Sequence, residues 1–299
     1  MSIQVKNLTK VYGTQTAVNS ISFTINKGEI VGFLGPNGAG KSTTMKMITG
    51  YLQPDSGSVQ VCGLNVQSHP IAIKKKIGYL PEANPLYHDM YVKEYLEFIA
   101  GVHQISNVKL QVLNVIALTG LEVEQKKKIG QLSKGYKQRV GLAASLIHSP
   151  EVLILDEPTS GLDPNQIIEI RNVIKQQGKD KTVLFSSHIL QEVEAICDRV
   201  IIINNGKIVA DDVLKNLTNK QTANKITIEL QEAVEAILFT GLQPKKLTAT
   251  KWEFTTNNAD MARKQLMEIV LANNLNIVSL TNQSNTNLED VFRNLTANK

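Results

Sequence analysis

Apolar and polar positions follow two different periods along this chain. Short runs in which almost every residue is apolar recur at 30–34, 152–155 and 182–185. Such runs are typical of central strands in a parallel sheet, which are covered on both faces. In the segments 92–99 and 108–118 the apolar residues recur every three or four positions, and this spacing predicts helices. The chain is therefore predicted to be an α/β protein.

A glycine-rich loop joins the first apolar run to a further helical pattern. The loop reads Gly35, Pro36, Asn37, Gly38, Ala39, Gly40, Lys41 and Ser42, followed by Thr43. This is the spacing of a phosphate-binding loop, whose backbone N–H groups and following helix N-terminus face an anion. Lys41 would reach the β- and γ-phosphates, and Ser42 would ligate Mg²⁺. An ordinary glycine-rich turn is the alternative, but the Lys-Ser pair and the apolar flanks favour binding of a nucleoside triphosphate.

Two acidic residues follow the apolar run 152–155. Asp156 and Glu157 fall at the C-terminal edge of this predicted strand, where open α/β sheets place their ligands. In proteins with a phosphate-binding loop, an acid in the position of Asp156 holds Mg²⁺. Glu157 is placed to polarise an attacking water. An exposed acidic turn is the alternative, and the phosphate-binding loop elsewhere in the chain argues against it.

A serine-glycine segment opens the helix that precedes this acidic strand. It reads Leu-Ser-Lys-Gly-Tyr-Lys-Gln-Arg over 132–139, and Ser133 is suited to cap a helix whose N-terminus favours an anion. The phosphate-binding loop, this helix start and the Asp-Glu strand, in this order, resemble the ATP-binding cassette (ABC) ATPases. The resemblance implies a P-loop NTPase cassette with a mixed-sheet core, an antiparallel β subdomain and a helical subdomain. It also implies that Ser133 and Gly135 contact the ATP held by a second subunit, so that a dimer shares two ATP sites.

The same resemblance assigns three further residues. The segment Ser-Gly-Leu-Asp over 160–163 is similar to the D-loop, so Asp163 is expected beside the partner's ATP. His188 matches the switch histidine and is expected to contact the γ-phosphate and orient the attacking water; a structural histidine is the alternative. Tyr12 resembles the aromatic residue on which adenine stacks, with an edge-strand tyrosine as the alternative.

The chain departs from the family pattern in two places. The helix start is usually Leu-Ser-Gly-Gly-Gln, and this chain has Lys134 and Tyr136 instead. Lys134 either adds a charge near the phosphates or points to water. Glu82 stands where most cassettes have glutamine. Because glutamate keeps an oxygen for Mg²⁺ but lacks the amide donor, the metal role is expected to carry over and the role in positioning water is in doubt.

The chain is predicted to divide into two domains. The cassette is predicted over 1–220, with its helical subdomain at about 85–148, and a small α+β domain over 221–299. The elements predicted in the second domain are strand 225–230, helix 232–239, strands 246–249 and 251–255, helix 259–271 and strand 276–280. This order fits a ferredoxin-like unit. The amphipathic tail at 288–296 resembles the ending of ATPase subunits that serve type-2 ABC exporters.

Composition narrows the possible partners and location. A net charge of +5 spread over 299 residues indicates a solvated surface rather than a nucleic-acid-binding face, and no nucleic acid partner is expected. Cys62 and Cys197 lie far apart without metal-binding spacing, which argues against a disulfide framework or metal cluster. The sequence has no secretory leader pattern and no run long enough to cross a bilayer. We therefore expect a cytoplasmic protein, held on the inner face of the cell membrane by a permease.

The predicted function is ATP hydrolysis that powers a separate integral-membrane exporter, with the chain working as a homodimer or with a related cassette. Within this group the chain is similar to the gliding-motility-associated ATPase subunits, over 78–82, 84–87, 130–136 and 192–199. One alternative is a soluble cassette ATPase acting on ribosomes or DNA. Those usually carry two cassettes or a long coiled-coil insertion. A non-hydrolysing regulatory module is the other alternative, and an intact Glu157 argues against it.

Overall fold

The computed structural model describes residues 1–219, 224–256, 258–283 and 288–296. They form two compact units, the first comprising Met1–Leu214 with Leu295 and Thr296 and the second comprising Lys215–Asn294. The predicted domain boundary at 220 lies outside the described residues. No helix within the described ranges is long and apolar enough to span a membrane.

The regular elements of the described residues are numbered in chain order. The strands are β1 (Ile3–Tyr12), β2 (Gln15–Ile25), β3 (Ile30–Leu34), β4 (Ser56–Val61), β5 (Leu64–Asn65), β6 (Ile77–Leu80), β7 (Val152–Asp156), β8 (Thr182–Ser187), β9 (Arg199–Asn204), β10 (Lys207–Val213), β11 (Asn224–Leu230), β12 (Pro244–Lys246), β13 (Lys251–Thr256) and β14 (Ile277–Gln283). The helices are α1 (Lys41–Ile48), α2 (Pro70–Lys74), α3 (Val92–Val102), α4 (Val108–Leu118), α5 (Lys134–Leu146), α6 (Pro164–Gln177), α7 (Leu190–Ile196), α8 (Leu214–Asn219), α9 (Ala259–Ala272) and α10 (Leu288–Thr296). Two short 3-10 helices lie at Ile129–Gln131 and Ala236–Phe239.

A six-stranded sheet forms the centre of the first unit, in the order β10-β9-β3-β8-β7-β6. Neighbouring strands from β9 to β6 pair in parallel, and β10 pairs antiparallel with β9, so the predicted mixed sheet is confirmed. Every residue of β3, β7 and β8 is buried, as their uninterrupted apolar runs predict. Because these three strands are parallel neighbours, the segments that follow Leu34, Asp156 and Ser187 leave the sheet at the same edge.

A second, antiparallel sheet has the order β2-β1-β4-β5 and provides the predicted antiparallel β subdomain. Ile3 and Val5 of β1 alternate with more exposed residues, as one buried face requires. Asn7 then adopts a positive φ of 47°, and the pairing of β1 with β2 shifts between Val5 and Leu8. This bulge returns Leu8 to the buried face.

The helical subdomain is built from α3, α4 and α5, which contact one another. Helical structure is not continuous over the predicted range 85–148, because turns and the 3-10 helix Ile129–Gln131 occupy most of the chain between α4 and α5. Arg139 of α5 connects the turn after α4 with α6. Its Nη1 donates to the carbonyl oxygen of Thr119 at 3.2 Å, and its Nη2 pairs with Glu169 of α6. The subdomain is thereby tied to the helix that follows the acidic strand.

The second unit contains a four-stranded antiparallel sheet in the order β12-β13-β11-β14. Its core contains Ile226, Ile228, Trp252 and Phe254 from the strands, with Leu266 from α9. The chain order of strands and helices and the pairing agree with the predicted ferredoxin-like unit.

Two elements of this unit differ from their predictions. The helix predicted over 232–239 is only the 3-10 helix Ala236–Phe239, and the strand predicted over 246–249 is Pro244–Lys246. The carboxylate of Glu232 accepts hydrogen bonds from the backbone N–H and Nδ2 of Asn276 at 3.0 and 2.7 Å. These bonds hold the chain after β11 to the chain before β14. Ile237 is 84% exposed, so a longer helix would gain little burial there.

Candidate active site

The loop between β3 and α1 has the conformation that its glycines permit. Gly38 and Gly40 adopt φ angles of 79° and 108°, which disfavour residues with a Cβ. At Gly40 an added Cβ would also lie 2.5 Å from the carbonyl oxygen of Ala17. Helix α1 begins immediately afterwards, at Lys41. Its first backbone N–H groups have no intrahelical acceptor, so they are available to an anion in front of the loop.

The Lys41 ammonium is buried within this loop, with 6% of the residue exposed. Its Nζ donates to the carbonyl oxygens of Gly35 and Pro36 at 2.7 and 3.3 Å. It also lies 3.7 Å from Oε1 of Glu157. These three contacts stabilise the ammonium group, because an isolated buried charge is costly. The ammonium is thus held where the loop and the end of β7 meet, as the sequence pattern predicts.

Glu157 links the loop to the end of β8. Its Oε2 accepts a hydrogen bond from Nδ1 of His188 at 2.8 Å, because a carboxylate can only accept. Glu157 is 6% exposed, whereas the His188 side chain is 49% exposed. The Glu157 backbone has a φ of 51°, which is uncommon for a residue with a side chain. Such local strain is concentrated at functional sites, where surrounding contacts maintain it.

Ser186 supplies the contacts that maintain this turn. Its hydroxyl donates to Oδ1 of Asp156 at 2.7 Å and accepts a hydrogen bond from the backbone N–H of Glu157 at 2.9 Å. Ser186 is fully buried and lies opposite Asp156 in the parallel pairing of β7 with β8. Sequence reasoning did not assign Ser186 a role. A polar residue at the end of an otherwise apolar buried run is the signal that could have identified it.

One cleft of about 530 Å³ brings the phosphate loop, Glu82, Glu157 and His188 together. Its lining residues are Ala17, Asn37, Gly38, Gly40, Lys41, Ser42, Thr43, Glu82, Glu157, Ser160 and His188. Ala17 and Ser160 were not predicted. The cleft therefore combines a cation, backbone N–H donors and a carboxylate that contacts a histidine, which is a set suited to phosphoryl transfer.

Eight predicted residues do not line this cleft in the described part of the same chain: Tyr12, Gly35, Pro36, Ala39, Ser133, Gly135, Asp156 and Asp163. Ser133 Oγ accepts from the backbone N–H of Tyr136 at 3.3 Å and caps α5. Asp163 Oδ1 accepts from the N–H of Gln166 at 3.0 Å and caps α6. Tyr12 is 49% exposed, and the Lys10 ammonium lies 5.7 Å from its ring centroid. Their predicted contacts with a nucleotide stay predictions.

Three oxygen-bearing side chains fit the predicted magnesium role. Ser42, Glu82 and Asp156 all line a second cavity that adjoins the cleft, and Ser42 and Glu82 line both. A hydroxyl and two carboxylates are hard oxygen ligands of the type Mg²⁺ prefers, with the rest of its shell from water and phosphates. No group of three or more His, Cys, Asp or Glu residues in the described ranges could hold a metal alone. The donor set therefore fits a metal that binds together with a nucleotide.

Lys134 does not line the cleft of its own chain either. The residue is exposed, and its side chain lies over Gly161, where an added Cβ would collide with Nζ. This places an ammonium group at the start of α5, beside the loop that precedes α6. The position agrees with a solvated side chain, and a role of Lys134 beside phosphates stays a prediction.

The sequence is similar to those of known transporter subunits. Residues 18–160 match the family model described as ABC transporter. The linearmycin resistance ATP-binding protein LnrL of Bacillus subtilis (strain 168) is 34% identical over 98% of each chain. The bacitracin transport ATP-binding protein BcrA of Bacillus licheniformis is 38% identical over 79% of this chain and 77% of its own. The similarity to LnrL thus extends over both units.

Solved structures show the same fold. The structure of an ATP-binding subunit of an ABC transporter has a TM-score of 0.68 and 30% identity, over 73% of this chain and 92% of the other. A dimeric ATP-binding cassette in a post-hydrolysis state, bound to ADP and Pi, has a TM-score of 0.67 and 25% identity, over 71% of this chain and 98% of the other. The predicted cassette fold is thereby confirmed.

Replacement of Lys41 tests the phosphate loop. Lys41→Ala should weaken ATP binding by about tenfold or more, because a charge-assisted hydrogen bond contributes about 1.5–3 kcal/mol. Isothermal titration calorimetry with ATP measures the change. Lys46→Ala is the matched control, since Lys46 is an exposed lysine on the same helix and does not line the 530 Å³ cleft. Equal affinities for Lys41→Ala and the unmodified chain would contradict the assignment of the loop.

Proposed function

This chain belongs to the ATP-binding subunits of ABC transporters and is an ATPase, and we propose that its hydrolysis of ATP powers a separate membrane-spanning exporter. The observation that carries the proposal is the contact of the buried Glu157 carboxylate with both Lys41 and His188 at the edge of the cleft. A module that only binds nucleotide has no need of a carboxylate in this place. The alternative of a non-hydrolysing module is therefore not adopted.

Hydrolysis follows from positioning and charge stabilisation by the chain's own groups. The backbone N–H groups of the loop and the Lys41 ammonium bind the phosphates and stabilise charge that develops on them. Glu157 accepts the proton of the attacking water, and His188 holds the Glu157 carboxylate in place through Nδ1. Ser42, Glu82 and Asp156 would hold Mg²⁺, which would neutralise charge on the β- and γ-phosphates.

We infer that two copies, or this chain and a related cassette, complete each site. Ser133, Gly135 and Asp163 do not line the cleft of their own chain, although Ser133 and Asp163 each cap a helix whose N-terminus favours an anion. In a dimer, the start of α5 of one copy would face the phosphates held by the other. The similarity to a dimeric cassette bound to ADP and Pi supports this arrangement.

A second cavity, of about 630 Å³, supports a permease as the other partner. It is lined in part by aromatic and apolar residues of β6 and α3, including Tyr79, Tyr95 and Ile99, and it shares Glu82 with the ATP cleft. We propose that this groove receives a helical segment of the permease, so that Glu82 lies between the two. The chain would then be held at the inner face of the membrane by this partner.

Two of the side chains that line this groove, those of Tyr79 and His148, each have a buried polar atom. The Tyr79 hydroxyl and Nδ1 of His148 have no hydrogen-bond partner among the described residues. Burial raises the pKa of Tyr79 above its usual range, and burial and the stacked His103 ring lower the pKa of His148 to about 4. Both side chains are therefore neutral at pH 7. The lining is therefore uncharged at these positions and mainly apolar, which suits the apolar surface of a protein segment.

Export is proposed from the relatives. LnrL is a linearmycin resistance protein and BcrA is a bacitracin transport protein, and both support a subunit that serves a transporter. The similarity to gliding-motility-associated subunits receives no support from the relatives described above, so a role in gliding is not part of the proposal.

Glu157→Gln tests the base. The variant should bind ATP with normal affinity and hydrolyse it at least about a hundredfold more slowly, the scale expected for loss of a general base. It should also accumulate as an ATP-bound dimer on size-exclusion chromatography. Glu194→Gln is a suitable control because that carboxylate is exposed on α7 and does not line the cleft. Near-normal turnover by Glu157→Gln would move the base elsewhere, with Glu82 the next candidate.

Glu82→Gln tests the departure from the family pattern. If Glu82 only ligates Mg²⁺ and anchors its loop, the amide should retain or modestly raise ATP turnover of the isolated chain, because it removes repulsion from the triphosphate. Turnover is measured for the isolated chain and again with the permease in proteoliposomes. A loss confined to proteoliposomes would assign Glu82 to coupling. A large loss in both assays would contradict the proposed role, and if Glu157→Gln were still active it would make Glu82 the base.

A further inference from the structure

A fully buried carboxyl group lies behind the site and takes no part in the hydrolysis described above. It belongs to Glu192 of α7, which is 0% exposed. We propose that Glu192 is a positioning residue that fixes the segment carrying Glu157 relative to the segment carrying His188. The inference rests on the proposed roles of Glu157 and His188, and it concerns a group that touches neither ATP nor water in the cleft.

Glu192 receives hydrogen bonds from both segments. The Thr159 hydroxyl donates to Oε2 of Glu192 at 2.6 Å, and the Ser187 hydroxyl donates to the same oxygen at 2.9 Å. Ser187 Oγ also accepts from the backbone N–H of Ile189 at 2.9 Å. Thr159 is 3% exposed and Ser187 is fully buried, so water cannot readily replace either bond. Hydrogen bonds in such a water-excluded place are stronger than those on a surface.

The two donors stand next to the groups that act on ATP. Thr159 comes two residues after Glu157 and immediately before the loop at 160–163, and Ser187 immediately precedes His188. Glu157 and His188 already contact each other at 2.8 Å, but the His188 side chain is half exposed. The connection through Glu192 is a second, water-excluded one. It restrains the backbone on each side of the contact between Glu157 and His188.

Helix α7, which carries Glu192, packs against the central sheet. Val193, the residue after Glu192, is fully buried against β3, and a Cβ added to Gly32 of β3 would lie 2.7 Å from its Cγ1. Strand β3 leads directly into the phosphate loop. Glu192 therefore fixes the positions of the segments that carry Glu157 and His188 relative to β3 and its phosphate loop. Hydrolysis needs these groups to be held in a fixed arrangement.

The two oxygens of Glu192 allow geometry to be separated from charge. Oε2 accepts both hydrogen bonds, and Oε1 has no hydrogen-bond partner among the described residues. In Glu192→Gln, the amide oxygen can take the place of Oε2 and keep both bonds. Glu192→Leu has a similar volume but removes the acceptor and leaves the hydroxyls of Thr159 and Ser187 unpaired. The proposal requires the two variants to differ.

ATP turnover, KM for ATP and equilibrium ATP affinity are measured for both variants of the full chain. Glu192→Leu should lower kcat by about tenfold to a hundredfold, the scale for misplaced catalytic groups, while KM and ATP affinity stay within about twofold because the phosphate loop is intact. Glu192→Gln should restore most of kcat. Glu194→Leu, at an exposed position on the same helix, is the control and should behave as the unmodified chain. Normal kcat in Glu192→Leu, or kcat and ATP affinity falling together, would overturn the proposal.

Two further measurements keep the test decisive. If Glu192→Leu does not fold, Thr159→Val removes the bond from Thr159 to Glu192, and Ser187→Ala removes the bond from Ser187 to Glu192 together with the bond from the Ile189 N–H. Each variant should lower kcat at unchanged ATP affinity, and normal kcat in both would overturn the proposal. In the Glu157→Gln background, Glu192→Leu should have little additional effect, because both changes act through the same carboxylate. An additive loss would overturn action through Glu157. An active Glu157→Gln single variant would instead show that the proposed base is wrong.

Discussion

The site depends on the burial of three parallel strands side by side. β3, β7 and β8 are buried along their whole length and adjacent in the sheet, so their carboxyl ends meet at one edge. The phosphate loop directly follows β3, His188 directly follows β8, and the Asp156-Glu157 pair stands at the end of β7. Lys41 and Glu157, which are more than a hundred positions apart in sequence, thus form an ion pair at 3.7 Å because of strand order. A change in that order would separate Lys41 from Glu157.

Burial also sets the strength of the contacts at this edge. Lys41 and Glu157 lie 3.7 Å apart and are each about nine-tenths or more buried, so their attraction is screened far less than on a surface. The same burial makes unpaired groups costly, which is why Ser186, Ser187 and Thr159 all use their hydroxyls. Hydrogen bonds between the ends of β7 and β8 therefore help to maintain the uncommon backbone conformation of Glu157.

Much of the fold and the outline of the site could be predicted from the sequence, because the information is local. The loop from Gly35 to Ser42 and the strand ending at Asp156 have their own spacing, and the family pattern places His188. The hydroxyls that hold these groups could not be predicted in the same way. Ser186 meets Asp156 only because of the register of β7 and β8, and Glu192 meets Thr159 through the packing of α7. The helix predicted over 232–239 is too long, because only Ala236–Phe239 is helical. Helical spacing does not reveal that Asn276 donates a hydrogen bond to Glu232.

The central claim is that each hydrolytic site needs the strand edge of one chain and the start of α5 of another. Specific ATPase activity, measured at saturating ATP over a wide range of protein concentration, tests this claim most directly. Activity per chain should rise with protein concentration and reach a plateau as dimers form, since a single chain lacks Ser133 and Gly135 in its own cleft. Constant activity per chain, down to concentrations at which size-exclusion chromatography shows only monomer, would contradict it.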